Sequence, residues 1–334
     1  MTGRPTRWGI ISAGKISSDF CIALRTLPRT EHEIVAVAAR KLDDAEAFAK
    51  RHGVKKAYGS YESLAADPDV EIAYIGSIHP KHCEQSLMLL EAGKHVLCEK
   101  PMGMSAAETK KILKAAKEKK LFFAEGFWSR HFPAYDQLRQ ELAANPIGDI
   151  RLVSVDFGFA FDWETVERVA KKECGGGVIL DIGCYGIQLA SLVFKKERPE
   201  RIVANGVLYS TGVDRSVSVT LFYKGGRMAQ ILITGDSLLS NTAHIYGTTG
   251  TLTLPNFWCP SELKTPSKTF SYPLPEPPEK THFTNSVGFV YQINSVRKAL
   301  LEGKTEVSQI DHEDSLLIAE IQDEILRQVG VAYD

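Results

Sequence analysis

Over its first 125 residues the chain repeats one pattern: a short Val/Ile/Ala-rich run, then a longer stretch with helical spacing. RWGIIS is followed by KISSDFCIALRTL, EIVAVAAR by DDAEAFAKRHG, KAYGS by YESLAAD, IAYIGS by PKHCEQSLMLLEAG, and HVLCEK by SAAETKKILKAAKEKK; LFFAEGF closes the series. Short continuous apolar runs belong to strands buried on both faces. Parallel strands joined by crossover helices bury them that way. The pattern predicts a Rossmann-like, doubly wound parallel sheet over residues 1–126. Helix punctuation agrees: Ser105 and Glu108 form a capping box, Pro80 fits a first turn, and Gly53 and Gly93 close two helices.

Beyond about residue 150 the pattern changes. DIRLVSVDFGFAF, RIVANGVLYS, SVSVTLFYK, RMAQILITG, TAHIYGTTGTLTL and KTFSYPL follow one another with hairpin-like breaks. One helix is expected from GGVIL through SLVF and another over HEDSLLIAEIQDEILRQVG. Residues 127–334 are therefore expected to form an α+β domain with an open, mostly antiparallel sheet. A length of 334 residues suits two such domains.

Other classes are disfavoured. A net charge of −1 carries no footprint for nucleic acid or an anionic membrane. Apolar runs such as AYIGSI and YGIQLASLVF fall short of the roughly 20 residues that span a bilayer. The N-terminus has no apolar signal core, so a cytoplasmic location is expected. The six cysteines include no C-x-x-C pair and read as free thiols. HPKH has ligand spacing but no second pair, so no metal site is expected.

In a sheet of this kind ligands bind outside the carboxyl ends of the strands. The first turn there is SAGKIS, in which only the central glycine of a dinucleotide fingerprint remains. Ser12, Ala13, Gly14, Lys15 and Ile16 are the expected cradle for a pyrophosphate at a helix N-terminus. The second strand ends in VAARKLDD. Arg40 and Lys41 suit a 2′-phosphate where an acidic residue would bind the unphosphorylated ribose, so NADP is predicted over NAD. Asp43 and Asp44 are the residues that would compete for Arg40. SIHPKH places Ser77 and His79 at the cofactor and His82 at the substrate. VLCEKP brings Glu99 and Lys100 to the nicotinamide end, with Pro101 holding Lys100 extended. GFWSRHFP supplies Trp128 and Arg130 for a substrate wall, and Glu125 is expected as a structural charge partner.

RWGIIS, VAVAAR, KAYGSYE, AYIG with HPKH, VLCEKPMG, RHFPA, LDIGCY, TGVD, LSNTA and WCP together resemble the glucose-fructose oxidoreductase/inositol dehydrogenase (Gfo/Idh/MocA) family over nearly the whole chain. The likeness is strongest to its branch acting on dihydrodiols and D-xylose. The resemblance implies hydride transfer between NADP and a cyclic alcohol. It also implies substrate contacts at Phe157 and Phe283, and a partner for Lys100 within GGVILDIGCYGIQ. The commoner family pattern, Asp-x-Gly-x-x-His, is replaced by Asp181, Gly183 and Tyr185 without a histidine, which points to that branch.

The chemistry of such a pair follows from elementary principles. A phenol with a pKa of about 10 is a poor base near neutrality, and a nearby ammonium lowers that value. Tyr185 beside Lys100 would serve as acid and base. Asp181, four residues earlier, would share its helical face and bind a substrate hydroxyl or orient Lys100. Read without the resemblance, Tyr185 as a core aromatic and Asp181 as a helix cap is an equal alternative. The open sheet needs cover, and pairing two copies into a homodimer supplies it. Two other functions remain: a sugar oxidoreductase that retains its cofactor, and a non-catalytic NADP(H) sensor. Lys100, Asp181 and Tyr185 occurring together weigh against the sensor. The choice among D-xylose, other aldoses and a dihydrodiol stays open.

Overall fold

The computed structural model describes residues 3–333. In chain order its elements are β1 (Thr6–Ile11), α1 (Lys15–Leu24), β2 (His32–Ala38), α2 (Leu42–His52), β3 (Lys56–Tyr58), α3 (Tyr61–Ala65), β4 (Ile72–Ile75), α4 (His82–Glu91), β5 (His95–Cys98), α5 (Ala106–Lys119) and β6 (Phe123–Glu125). Then come α6 (Pro133–Ala144), β7 (Ile150–Gly158), α7 (Glu167–Ala170), α8 (Cys184–Val193), β8 (Arg201–Leu208), β9 (Asp214–Tyr223) and β10 (Arg227–Thr234). The last are β11 (Thr242–Gly247), β12 (Thr251–Pro255), β13 (Glu262–Lys264), β14 (Thr269–Ser271), α9 (Phe289–Leu301) and α10 (His312–Val329).

These elements form two compact units. The first comprises the chain up to Met102, Glu108–His131 and Leu274–His312. Its sheet has the order β3-β2-β1-β4-β5-β6, and every pairing is parallel. The doubly wound expectation therefore holds. The order reverses between β1 and β4, which makes the carboxyl ends of those strands the switch point where ligands bind. Ile11, Ala36, Ala38, Ile75, Val96 and Cys98 lie in its core. On α1, Phe20 stacks on Tyr74 at 3.8 Å and meets Trp8 edge-on at 5.3 Å.

The expected single boundary near residue 127 is corrected, because the chain returns to the first unit for residues 274–312. The cause is a buried carboxylate. Asp19, inside α1 and fully buried, accepts the backbone N–H groups of His282 and Phe283 at 2.8 and 2.9 Å. Phe289 of α9 then packs edge-on to Phe20 at 5.6 Å, and Arg297 donates to Thr6 Oγ1 at 2.8 Å. An unpaired buried carboxylate is expensive, so the returning segment stabilises α1 where it is.

The second unit comprises Gly103–Ala107, Phe132–Pro273 and Glu313–Asp334. Its eight-stranded sheet runs β14-β13-β12-β11-β7-β10-β9-β8, antiparallel throughout except for the parallel pair β7–β10. The helix before β8 starts as a π-helical turn, Ile179–Gly183, and continues as α8. The stretch Lys172–Val193 is 22 residues long and, by length and composition alone, apolar enough to cross a membrane; 94% of its apolar window is buried. It is longer than the short apolar runs read from the sequence, and it serves as the core helix of this unit. Gly186 lets it approach β10: a Cβ there would lie 2.6 Å from Ile231 Cγ2. Ile231 and Ile233 are buried, while their neighbours Gln230 and Leu232 are exposed, so successive residues of β10 face opposite sides. Val203, Val207, Leu232 and Tyr246 leave apolar surface exposed on this sheet.

Candidate active site

At the end of β1, Ser12 has φ 83°, in the left-handed region where a fingerprint glycine would sit without strain. Its N–H donates to the Ala38 carbonyl at 2.9 Å, which fixes the turn to β2. Gly14 follows with φ −83° and ψ 178°, a conformation any residue adopts. A Cβ on it would meet only Gly76 O and Ser12 Oγ, both at 3.7 Å. Neither backbone nor packing requires glycine there, so its missing side chain leaves room for something outside the chain. The helix beyond, α1, has no side-chain cap and no acidic residue in its first turn. Its first N–H groups and the positive end of its dipole suit an anion. The cradle of Ser12, Ala13, Gly14, Lys15 and Ile16 thus fits a dinucleotide pyrophosphate.

Arg40 and Lys41 are exposed directly before α2. Among the described residues neither forms an ion pair, and Asp43 and Asp44 do not neutralise them. Two unneutralised cations at a helix start oppose the dipole, which an anionic ligand would relieve. Tyr61 lies near enough to feel Arg40: burial raises its phenol pKa and Arg40 counters.

The exits of β4 and β5 are tied together by His82. Its ring is fully buried, with Nδ1 2.7 Å from the Pro101 carbonyl and Nε2 3.0 Å from that of Ser77. Burial pushes its pKa down, more than those carbonyls raise it, and the Lys100 charge adds to the lowering. The expected substrate contact at His82 is therefore corrected: the ring braces two loops. His79 is half-buried beside it, ring to ring at 5.8 Å. Ser77 Oγ donates to Gln85 Oε1 at 2.6 Å. Lys100 is half-buried and joined to Pro101 by a cis peptide.

Glu99, expected at the cofactor, has its side chain engaged within the first unit. Its buried carboxyl accepts the Tyr74 hydroxyl at 2.7 Å, and burial raises its pKa to about 7. Glu125 accepts the Met102 N–H at 2.9 Å. Arg130, expected at a substrate wall, is buried and donates to the Gln309 carbonyl at 3.2 Å, which secures a loop. Trp128 is buried with its ring 4.8 Å from Phe289. Phe283 is 39% exposed, its backbone held on Asp19.

In the second unit the π-helical turn carries Asp181, and α8 carries Tyr185 four residues on. A π turn inserted in a helix frequently marks a functional site. Several contacts hold this one. The fully buried Asp214 accepts the Ile179 N–H at 2.6 Å, Gln322 Nε2 donates to the Ile179 carbonyl at 3.4 Å, and Gly186 seats α8 on the sheet. Burial raises the Asp214 pKa to about 6, against the lowering by backbone donors.

Tyr185 is 6% exposed and meets Phe157 edge-on at 6.0 Å. Phe157 is only 1% exposed and packs 4.8 Å from Trp258, which is half-buried. Trp258, not Phe157, is therefore the ring with a face to offer a ligand. Its loop is held by a buried chain in which Gln188 Nε2 donates to the Tyr135 hydroxyl at 2.8 Å and that hydroxyl donates to the Phe257 carbonyl at 3.0 Å. Asp181 pairs with Arg168, Nη1 to Oδ1 at 2.7 Å, and the pairing raises the Arg168 pKa. Sequence reasoning missed Trp258 and Arg168. WCP after a strand was the available signal for the first, and VERVAKKE carries none for the second. Among the described residues no three His, Cys, Asp or Glu side chains converge as a metal site, and the six cysteines are free.

The first unit has the switch-point cradle of a dinucleotide-binding fold, and the second carries a carboxylate and a phenol on an anchored helix. Residues 6–127 match the family described as "Oxidoreductase family, NAD-binding Rossmann fold", and residues 135–253 match the GFO/IDH/MocA C-terminal domain. The chain belongs to the Gfo/Idh/MocA oxidoreductases. It is 45% identical over 328 residues to trans-1,2-dihydrobenzene-1,2-diol dehydrogenase of Danio rerio, covering 98% of both chains. It is 43% identical over 328 residues to the Homo sapiens protein of the same name, again with 98% of each covered. Among solved structures it resembles KijD10, a 3-ketoreductase from Actinomadura kijaniata in complex with NADP and TDP-benzene, with a TM-score of 0.83, 26% identity and 98% of each chain covered.

The raised pKa of Asp214 has a defined consequence for stability. With a folded-state value of about 6 against an ordinary 3.8, the folded chain holds this proton more tightly than the unfolded chain. The contribution is full below the ordinary value and is lost as pH rises through 6. Relative to Asp214→Asn, the unmodified protein should lose about 2–3 kcal/mol of stability between pH 4 and pH 6.5. Urea denaturation of both at several pH values measures this, and a pH-independent difference contradicts it.

Proposed function

We propose that the chain is an NADP-dependent dehydrogenase of ring secondary alcohols that carry a neighbouring hydroxyl, such as trans-dihydrodiols and aldoses including D-xylose. The observation that carries this reading is the anchored helix start that bears Asp181 and, four residues on, Tyr185, whose ring meets Phe157, itself packed on Trp258. The names of the relatives support the dihydrodiol. The unneutralised Arg40 and Lys41 support NADP, because a guanidinium and an ammonium suit a phosphate dianion.

Gly14 and the N–H groups of α1 would hold the pyrophosphate, and Arg40 with Lys41 would hold the 2′-phosphate, of a nicotinamide cofactor that would supply hydride chemistry at the substrate carbon. Tyr185 takes the hydroxyl proton during oxidation and returns it during reduction. The ammonium of Lys100 favours the phenolate and brings the phenol's proton affinity toward neutrality. Asp181 accepts a hydrogen bond from a substrate hydroxyl, and Trp258 covers the apolar face of the ring.

One kinetic experiment tests the chemistry and the cofactor together. NADPH or NADH formation is followed across aldoses, polyols and dihydrodiols for the unmodified protein, Tyr185→Phe and Arg40→Ala. Turnover should favour NADP and should fall at least about 100-fold in Tyr185→Phe while NADP still binds. Arg40→Ala should raise the KM for NADP by about 10-fold or more and leave that for NAD nearly unchanged. Near-normal turnover by Tyr185→Phe, or equal efficiency with NAD, contradicts the reading.

The same proposal includes a homodimer that covers the exposed residues of the second unit's sheet, among them Val203 and Leu232. Light scattering should give twice the chain mass for the unmodified protein and a lower mass for Leu232→Glu. A single-chain mass for the unmodified protein contradicts it.

A further inference from the structure

Arg168 lies on the four-residue helix α7, in the long connection between β7 and the π-helical turn. That connection is pinned at several points within the second unit. Trp163 Nε1 donates to the Gly235 carbonyl and to Asp236 Oδ1, both at 3.1 Å. The Asp162 carboxylate accepts the N–H groups of Glu164 and Thr165 at 3.1 and 3.2 Å. Gly177 N donates to the Val169 carbonyl at 2.9 Å, and Thr211 Oγ1 donates to that of Ala170. Val169 and Ala170 are buried. A surface loop has no need of such fixing. Its consequence is that one guanidinium is delivered to one carboxylate: Arg168 Nη1 to Asp181 Oδ1 at 2.7 Å, with the Phe161 ring 5.9 Å from the guanidinium carbon.

The two partners differ in exposure. The Asp181 side chain is 9% exposed and that of Arg168 is 43% exposed. An arginine has five N–H donors in a planar fork, and a carboxylate only accepts. With Nη1 on Asp181, the guanidinium keeps further donors at the surface beside the acceptor. A lone alcohol needs only one of the two groups. Two hydroxyls on adjacent carbons use both: one donates to the carboxylate while its neighbour accepts from the guanidinium.

We propose that Arg168 and Asp181 together read a vicinal diol, which makes Arg168 a specificity-determining residue of this enzyme. This rests on the assignment of Asp181 to a substrate hydroxyl and extends it to the neighbouring oxygen. The pair carries no net charge, so it selects a neutral diol over an anionic substrate, which would have to displace Asp181 from Arg168. The Phe161 ring, 5.9 Å from the guanidinium carbon, lies within cation–π range of it.

The test compares two substrates in three proteins. KM and kcat are measured with NADP for trans-1,2-dihydrobenzene-1,2-diol and for the ring mono-alcohol cyclohex-2-enol, using the unmodified protein, Arg168→Met and Arg168→Lys. In Arg168→Met the KM for the diol should rise about 10- to 100-fold, the loss expected for a charge-assisted hydrogen bond, while its kcat changes far less. Efficiency with the mono-alcohol should fall much less than efficiency with the diol. Arg168→Lys should recover part of the diol affinity, since it keeps the charge but not the fork. Equal losses on both substrates would show a merely structural role and overturn the proposal, as would an unchanged KM for the diol in either variant. Should Arg168→Met fail to fold, the lysine variant decides alone by the same comparison. An unmodified protein that turns over neither substrate strikes the functional reading and this proposal together. An active unmodified protein whose diol KM is insensitive to Arg168 strikes this proposal only.

Discussion

The helix start that carries Asp181 and Tyr185 depends on a buried carboxylate beneath it. Asp214 has no exposure, and it accepts the Ile179 N–H at the point where the π-helical turn begins. Such a group, destabilised by burial, persists because the donors it satisfies would otherwise be orphaned. From that point the backbone runs through Asp181 to Tyr185, and Gly186 then seats α8 on Ile231. Side chains that must meet a small ligand have to be held by packing and hydrogen bonds beneath them. Here the support comes from below, through Asp214 and Gln322, and from the side, through Arg168.

The first unit follows a different rule. Its cradle is defined by what the chain leaves unused: space at Gly14, uncapped N–H groups on α1, and two cations before α2 without partners among the described residues. Several polar groups nearby are engaged internally. His82 spans two main-chain carbonyls, Glu99 takes the Tyr74 hydroxyl, and Asp19 fixes the returning segment. Unused donors suit an anionic ligand, and the proposed function separates such residues from bracing ones in the same short motifs.

That separation is also where sequence reading reached its limit. The parallel sheet was legible because short apolar runs alternate with helical spacing, and the antiparallel sheet because longer strands follow one another. The strand ends and helix starts that carry Gly14, Arg40, Asp181 and Tyr185 were legible because local pattern sets them. The bracing contacts of His82 and Arg130 were not, since a histidine in HPKH or an arginine in WSRH looks the same whether it faces a ligand or a buried carbonyl. The return of residues 274–312 to α1 depends on a contact between Asp19 and His282, far apart in the chain, which no periodicity encodes. Trp258 and Arg168 owe their importance to neighbours brought by other strands and turns, Phe157 in one case and Asp181 in the other.

In the proposed function the Lys100 ammonium sets the ionisation of the Tyr185 phenol. Ultraviolet difference titration of the unmodified protein against Tyr185→Phe, with NADP bound, isolates that phenol directly. Its midpoint should lie well below the ordinary value of about 10 and should move back toward it in Lys100→Met. A Tyr185 midpoint at or above the ordinary value, or one that does not respond to the loss of Lys100, would contradict the account.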